Sequence, residues 1–228
     1  MKRLPSPRIA VIVPCFNEEL TIGEVVRDFK NTLPEAEVIV VDNCSTDRTG
    51  DVAEAAGAMV MREHAQGKGS VMQIAFEKIE ADVYVTVDGD ATYSASDIRK
   101  ILDPILKGRA DMVVGNRLNA ANSEVWHQHR VLGNKMICSF FNLLYGTNFS
   151  DILSGYRALS FDAARKMKFA SKGFEIETEI TAKAVKNKLR VEEPPVIYRK
   201  RPEGSRSKLS ALKDGFKIMG LMVKLRMK

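Results

Sequence analysis

The sequence predicts an α/β fold with a mostly parallel central sheet flanked by helices. Short apolar runs of strand length recur through the first half of the chain. Segments with helical spacing separate them, as β-α-β units require. Polar clusters follow the apolar runs, the arrangement of a sheet whose strand ends face a ligand.

Ile9-Ala-Val-Ile-Val13 reads as a strand covered on both faces, stopped by Pro14. From Glu19 to Leu33 a helix is expected, with Ile22, Val25, Val26, Phe29 and Leu33 on one side and Pro34 closing it. Glu37–Val41 is a second strand. The polar turn Asp42–Asp47 follows, and Thr46 or Asp47 is expected to cap a helix running to Ala56. Ala58–Met61 is a third strand, Gly67-Lys68-Gly69 leads into a helix over Ser70–Ile79, and Asp82–Val87 is a fourth strand ending at Asp88-Gly89-Asp90. Ser96 is expected to cap a helix to Leu106, before a fifth strand at Ala110–Val114. The second half changes character, with helices at about 128–145, 161–167 and 174–187, short strands flanking Pro194-Pro195, and a basic helix from about Ser207 onward. Neither a linker nor an internal repeat interrupts the chain. One domain over residues 1–228 is expected, with a ligand-binding half at 9–115, a second half at 116–205 and a terminal amphipathic helix at 206–228.

At 228 residues, 45% hydrophobic and 28% charged, the composition excludes disordered and low-complexity classes. The 35 Lys and Arg exceed the 29 Asp and Glu, a net charge of +6 that favours anionic partners. Nucleic acid is disfavoured among them, since no recognised binding motif is present and aromatics make up 7%. Cys15, Cys44 and Cys138 form an odd set without CxxC spacing, against both a disulfide framework and structural zinc. A reducing, cytoplasmic compartment is expected. Met1–Pro7 lacks the apolar core of a signal peptide, and no run reaches the roughly 20 apolar residues of a spanning helix. His64, His127 and His129 lack metal-ligand spacing, and there is no GxSxG, Walker A or GxGxxG motif.

The chemistry therefore falls to the strand-end clusters. Asp88 and Asp90 stand two residues apart just past a buried strand, where both carboxylates can turn into one cleft. Gly89 between them would let a ligand approach closely. Two like charges there are costly if buried unpaired, and a hard divalent cation, Mg²⁺ or Mn²⁺, removes the conflict by binding carboxylates together with phosphate oxygens. Gly67-Lys68-Gly69 could offer backbone N–H groups and one cation to a ligand near a helix start, or could be an ordinary turn.

Taken in order, Ile12–Glu18, Val40–Asp47, Gly67–Gly69 and Val87–Asp90 resemble the signatures of glycosyltransferase family 2, which has the GT-A fold. The resemblance continues through Gly115-Asn-Arg117, Asp151–Arg157, Gly173–Glu179, Tyr198–Arg201 and Gly204–Lys208. This later set is similar to the branch acting on polyprenyl phosphates, which includes dolichol-phosphate mannosyltransferase. It implies a metal-dependent, inverting transfer of a hexose-type sugar from a UDP- or GDP-sugar to a dolichyl or undecaprenyl phosphate. Pro14, Phe16, Glu18 and Asp42 would line the base and ribose pocket, Lys68 would lie near the donor, and Asp88, next to Gly89, would face the ribose and metal. Asp90 would hold the cation between donor phosphates. Arg117 and Arg130 match basic positions that hold the acceptor phosphate, and Arg201 and Lys208 match the stretch that closes over the diphosphate. Three departures stand out: Gly89 where alanine is frequent, Asn43 in place of a second acid, and Thr92 where many relatives have glutamine.

Physical chemistry supports these assignments. A divalent ion neutralises the charge that develops on a departing diphosphate. A lipid phosphate is already an anionic nucleophile, and arginine's planar fork suits it, although Arg117 and Arg130 could equally make ordinary surface ion pairs. Glu175, Glu177 and Glu179 read either as a solvated helix start or as a set with one member contacting sugar hydroxyls. In the terminal helix Leu209, Leu212, Phe216, Met219 and Val223 recur at helical spacing, widened by Ile218 and Leu225, among six basic residues from Lys208 to Lys228. That pattern suits peripheral docking on an anionic membrane face or packing on the domain. A transferase using a glycan or soluble acceptor and a non-catalytic nucleotide-sugar-binding subunit are the rival readings, and a homo-oligomer is left open.

Overall fold

A computed structural model describes residues 7–118, 128–205, 208 and 211–227, with the side chains of 128–130 and 211–213 outside the description. Seven strands form one sheet in the order β3-β2-β1-β4-β6-β5-β7. They are β1 (Ile9–Cys15), β2 (Glu37–Asp42), β3 (Met59–Arg62), β4 (Val83–Thr86), β5 (Met112–Val114), β6 (Arg157–Ser160) and β7 (Val191–Glu192). The helices are α1 (Ile22–Thr32), α2 (Thr49–Ala55), α3 (Lys68–Lys78), α4 (Ile98–Leu106), α5 (Gln128–Tyr145), α6 (Phe161–Lys166), α7 (Ile176–Lys186) and α8 (Ala211–Met227).

Strands β1 to β4 pair in parallel, as the alternation predicts. Beyond β4 the sheet departs from expectation. The fifth strand does not join β4. The unforeseen strand β6 inserts between β4 and β5, antiparallel to both. Its Arg-Ala-Leu-Ser sequence is too short to show a period, so its place is set by partners far along the chain. Since β6 and β7 come from the second half, the two halves share one sheet. Among the described residues from Pro195 onward only isolated bridges form, Asn116 with Pro195 and Tyr93 with Tyr198.

One hydrophobic layer packs α1 and α4 against one face of the sheet, with Phe29, Ile98 and Leu102 fully buried. The other face holds Met72, Phe76 and Ile180 from α3 and α7. A third cluster lies under α5 and α8, built from Cys138, Phe141, Ile152, Ala182, Ile218 and Met222.

Two expected caps are replaced. Arg48 takes the N-cap position of α2, while the preceding Asp47 accepts the Thr49 N–H at 3.0 Å. Ser96 lies inside a 3₁₀ turn, Ala95–Asp97, that precedes α4.

Candidate active site

The ends of β1, β2 and β4 open onto a cavity of about 600 Å³. Three short loops leave these strand ends, and each contains a non-glycine residue in the left-handed region: Asn17 (φ 53°), Cys44 (φ 61°) and Ala91 (φ 58°). Such backbone costs energy and persists where surrounding contacts hold it. The Asn17 side chain accepts from the Thr46 N–H at 2.8 Å, and Thr49 Oγ1 accepts from the Glu18 N–H at 2.8 Å, tying the first loop to the second.

The acid pair reaches the cavity as the sequence predicts. Asp88 and Asp90 both line it, as do Pro14, Phe16, Glu18 and Gly89. Asp90 is buried, and its Oδ1 accepts from Thr92 Oγ1 at 2.6 Å and from the Thr92 N–H at 3.1 Å. Thr92 therefore orients the carboxylate. Asp90 Oδ2 is paired with the Arg201 guanidinium.

Asp88 meets Lys68 at 2.5 Å, and the same ammonium lies 2.5 Å from Glu177. Burial pushes the Asp88 carboxyl up, but Lys68 outweighs it and holds the group below the usual carboxylate range. Burial likewise opposes the Lys68 charge, and the two carboxylates overcome it, so its pKa is raised. Glu18 is paired with Lys208, with Arg201 Nη1 3.8 Å away. Burial pushes the Glu18 carboxyl up despite these cations.

The residues present fit a hard divalent cation. Two carboxylates share one wall, and a guanidinium already stands as a cation at Asp90 Oδ2. Among the described residues no group of three or more His, Cys, Asp or Glu converges. A hard divalent ion needs only one or two carboxylates, with phosphate oxygens and water completing its shell.

Several expectations need correction. The Gly67 and Gly69 N–H groups do not face a ligand; they donate to Asn43 Oδ1 at 2.6 Å and to the Lys172 carbonyl at 3.0 Å. A Cβ on Gly69 would stand 2.0 Å from the Ser171 carbonyl oxygen, so this glycine permits close packing of the 171–173 segment. Gly89 has a similar reason, since a Cβ there would meet Cys15 Sγ at 2.6 Å. Asp42 is buried beside the cavity without being among its lining residues, and its Oδ1 accepts from the Ser45 N–H at 3.1 Å.

Arg117 does line the cavity, but it is not a loosely held surface cation. Its Nε and Nη2 donate to both oxygens of Asp151 at 2.8 and 2.9 Å, over the Tyr198 ring at 5.4 Å. Asp151 is fully buried, and its charge raises the guanidinium's pKa against the opposing effect of burial. The Arg130 side chain and His127 lie outside the described residues.

Nor is the start of α7 solvated. Glu177 and Glu179 are both buried. Glu177 lines the cavity beside Lys68, whereas Glu179 accepts from the Ala170 and Ser171 N–H groups and pairs with Lys183. Glu177 is thus the member of the acidic set that reaches the site. Only its neighbour Lys68, far away in sequence, tells it apart from Glu179.

Away from the acids, the cavity is bounded by Ile137 and Gly133 of α5, Leu153, Phe174, and Gly215 and Ile218 of α8. Helix α8 divides its apolar residues between a covered and an open face. Ile218 and Met222 are buried in the cluster beneath it, while Phe216, Met219, Val223 and Met227 are exposed, at 71%, 37%, 38% and 79%. Leu132, Met136 and Leu143 are exposed on α5 at 60%, 64% and 85%. Among the described residues no helix is long and apolar enough to cross a membrane.

Comparison with known proteins agrees with this geometry. The family model described as glycosyl transferase family 2 matches residues 10–168. Glycosyltransferase AglJ of Haloferax volcanii is 36% identical over 93% of this chain and 70% of its own. The dolichyl-phosphate hexose transferase of the same organism is 29% identical over 95% of this chain and 93% of its own, in line with the polyprenyl-phosphate branch that the later motifs resemble. Among solved structures, glucosyl-3-phosphoglycerate synthase of Mycobacterium tuberculosis, in complex with Mn²⁺, UDP and glucosyl-3-phosphoglycerate, superposes with a TM-score of 0.76 at 21% identity. It covers 96% of this chain and 78% of that one, and so shares the GT-A fold. With family signature, fold and strand-end acids in agreement, this chain belongs to glycosyltransferase family 2 and is a glycosyltransferase.

Proposed function

We propose that this glycosyltransferase moves a hexose-type sugar from a UDP- or GDP-sugar to a polyprenyl phosphate, with inversion, at the cytoplasmic face of a membrane. One observation carries the reading. A single cavity joins a carboxylate and cation wall, suited to a nucleotide diphosphate, to an apolar end between α5 and α8, suited to a lipid. The similarity to a dolichyl-phosphate hexose transferase supports the acceptor class. The Mn²⁺ and UDP held by a structural neighbour support the donor class.

Pro14, Phe16 and Glu18 would contact base and ribose, with Asp42 acting through the Ser45 turn behind them. Asp90, aided by Asp88, would hold Mg²⁺ or Mn²⁺. When bound, that ion would offset the charge developing on the departing diphosphate. Arg201 and Lys208, now on Asp90 and Glu18, would transfer to the diphosphate oxygens as the donor enters. Arg117, fixed by Asp151, and Arg130 would receive the acceptor phosphate. An oxygen of that phosphate attacks the anomeric carbon as the bond to the diphosphate breaks, giving a glycosyl phosphate and a nucleoside diphosphate. The phosphate is ionised already, so alignment matters more than a strong base. The exposed apolar stripes of α5 and α8, with Lys217, Lys224 and Arg226 alongside, would rest on an anionic bilayer surface.

The test is a panel of UDP- and GDP-sugars with Mn²⁺ and a short polyprenyl phosphate. Product extracted into organic solvent is expected. Transfer to soluble glycans without lipid product would overturn the acceptor assignment.

A further inference from the structure

Arg157 is the bulkiest fully buried side chain among the described residues, 1% exposed. Its hydrogen-bond acceptors are all uncharged. Nε donates to the Ser154 carbonyl at 2.7 Å, Nη1 to Thr181 Oγ1 at 2.8 Å, and Nη2 to the Ile152 carbonyl. Burying a cation without a directly paired anion is costly, and here it fixes one short loop, residues 151–155.

That loop is gripped from three other sides. Thr86 Oγ1, at the end of β4, donates to the Gly155 carbonyl at 2.8 Å. The Gly155 N–H donates to Tyr93 Oη at 2.9 Å. Glu193 accepts the Ser150 and Asp151 N–H groups at 2.9 and 3.0 Å. The result is a bare Cα at Gly155 pressed against the Asp88 carboxylate. A Cβ there would lie 2.6 Å from Oδ2, 2.8 Å from Oδ1 and 2.9 Å from Cγ. Gly155 is not among the positive-φ residues, so its backbone would accept alanine and the nearest obstacle is the carboxylate.

We infer that the 151–157 segment is a positioning device: Gly155 seats the Asp88 carboxylate, and Arg157 with Thr86 holds Gly155 in that seat. Gly155 and Arg157 need not touch substrate. They act through Asp88, and the same loop carries Asp151, which orients Arg117. This rests on the proposed function only for its kinetic consequence.

The test compares full-length wild type, Gly155→Ala, Thr86→Val and Asp88→Asn, all without metal or donor, by nitrogen NMR of the Lys68 ammonium. This signal reports its contacts with Asp88 and Glu177, and Asp88→Asn fixes the direction of change that belongs to Asp88. Gly155→Ala is expected to move the resonance in the direction Asp88→Asn moves it. The nearly isosteric Thr86→Val should move it less, in the same direction. Sugar transfer by Gly155→Ala should fall roughly 100-fold, the scale of a small misplacement of a reacting group, and chiefly in kcat. A Lys68 signal unmoved in the folded variants, with wild-type turnover, would overturn the inference. Thr86→Val alone decides if the alanine variant does not fold. A moved signal in a protein whose wild type transfers no sugar would uphold the positioning role and refute the proposed reaction instead.

Discussion

Lys68, Arg201 and Lys208 meet Asp88, Asp90 and Glu18 at one end of the cavity, so every strand-end acid that lines it already faces a cation. At the other end Ile137, Leu153 and Ile218 leave an apolar wall whose outer helices expose still more apolar surface. The first region has its charges prepared and balanced before any ligand arrives. The second carries Asp214 among mainly apolar residues and gains by burying surface. The contrast between the ends can be tested one side at a time.

The largest effect belongs to the charged end. Asp90→Ala should lower sugar transfer by about 10²–10³-fold, the usual loss when one preorganised electrostatic partner is removed. Transfer assays with Mn²⁺ check this, and full activity would break the division of labour between the ends.

Next comes the joint between them. Arg117→Ala leaves Asp151 buried without its bidentate partner, so unfolding free energy should fall by about 3–5 kcal/mol. Adding Asp151→Asn should restore part of it in denaturant titrations. A single variant as stable as wild type would show that the pair is not structural.

Helix α8 sharpens the comparison within one element. Phe216→Ser should weaken binding to anionic vesicles about 10- to 100-fold, given roughly 1.5–3 kcal/mol for a buried large apolar side chain, with no change in thermal midpoint. Met222→Ala should do the reverse, costing about 2–5 kcal/mol of stability while vesicle binding persists. Identical behaviour of the two variants would refute the two-faced helix.

The smallest effects lie in pH dependence. Burial raises the Glu193 carboxyl above its ordinary 4.5 against its backbone donors. The folded state then binds its proton more tightly than the unfolded chain, and stability declines as pH rises from 4.5 toward the raised value. In Glu179, burial is outweighed by Lys183 and Ser171, and the pKa is lowered from 4.5. Its contribution is present above 4.5 and disappears as pH falls through the folded value. Glu193→Gln should flatten the first slope and Glu179→Gln the second, as read by denaturation at several pH values.

These contrasts also explain what the sequence made legible. The charged end could be read because it is local: an apolar run, then Asp88 and Asp90 within a few residues, places both acids at a strand end. The roles of Gly69, Gly89 and Gly155 could not, because each glycine is required by a neighbour from a distant segment: Ser171, Cys15 and Asp88. The insertion of β6 escaped for the same reason, since its four residues carry no period and its place depends on β4 and β5. Periodicity revealed the apolar residues of α8 without telling which of them the domain would cover. The acids of α7 could be read either as a solvated helix start or as including a site contact, because only the fold brings Lys68 and the 170–171 backbone to meet them.

The most direct measurement is lipid-linked sugar formed from a UDP- or GDP-sugar panel, Mn²⁺ and a short polyprenyl phosphate, by wild type and Asp90→Ala side by side. The account predicts organic-soluble product from at least one donor with the wild type and its near-complete loss with the variant. Equal product from both proteins, or none from any donor with a folded wild type, would contradict it.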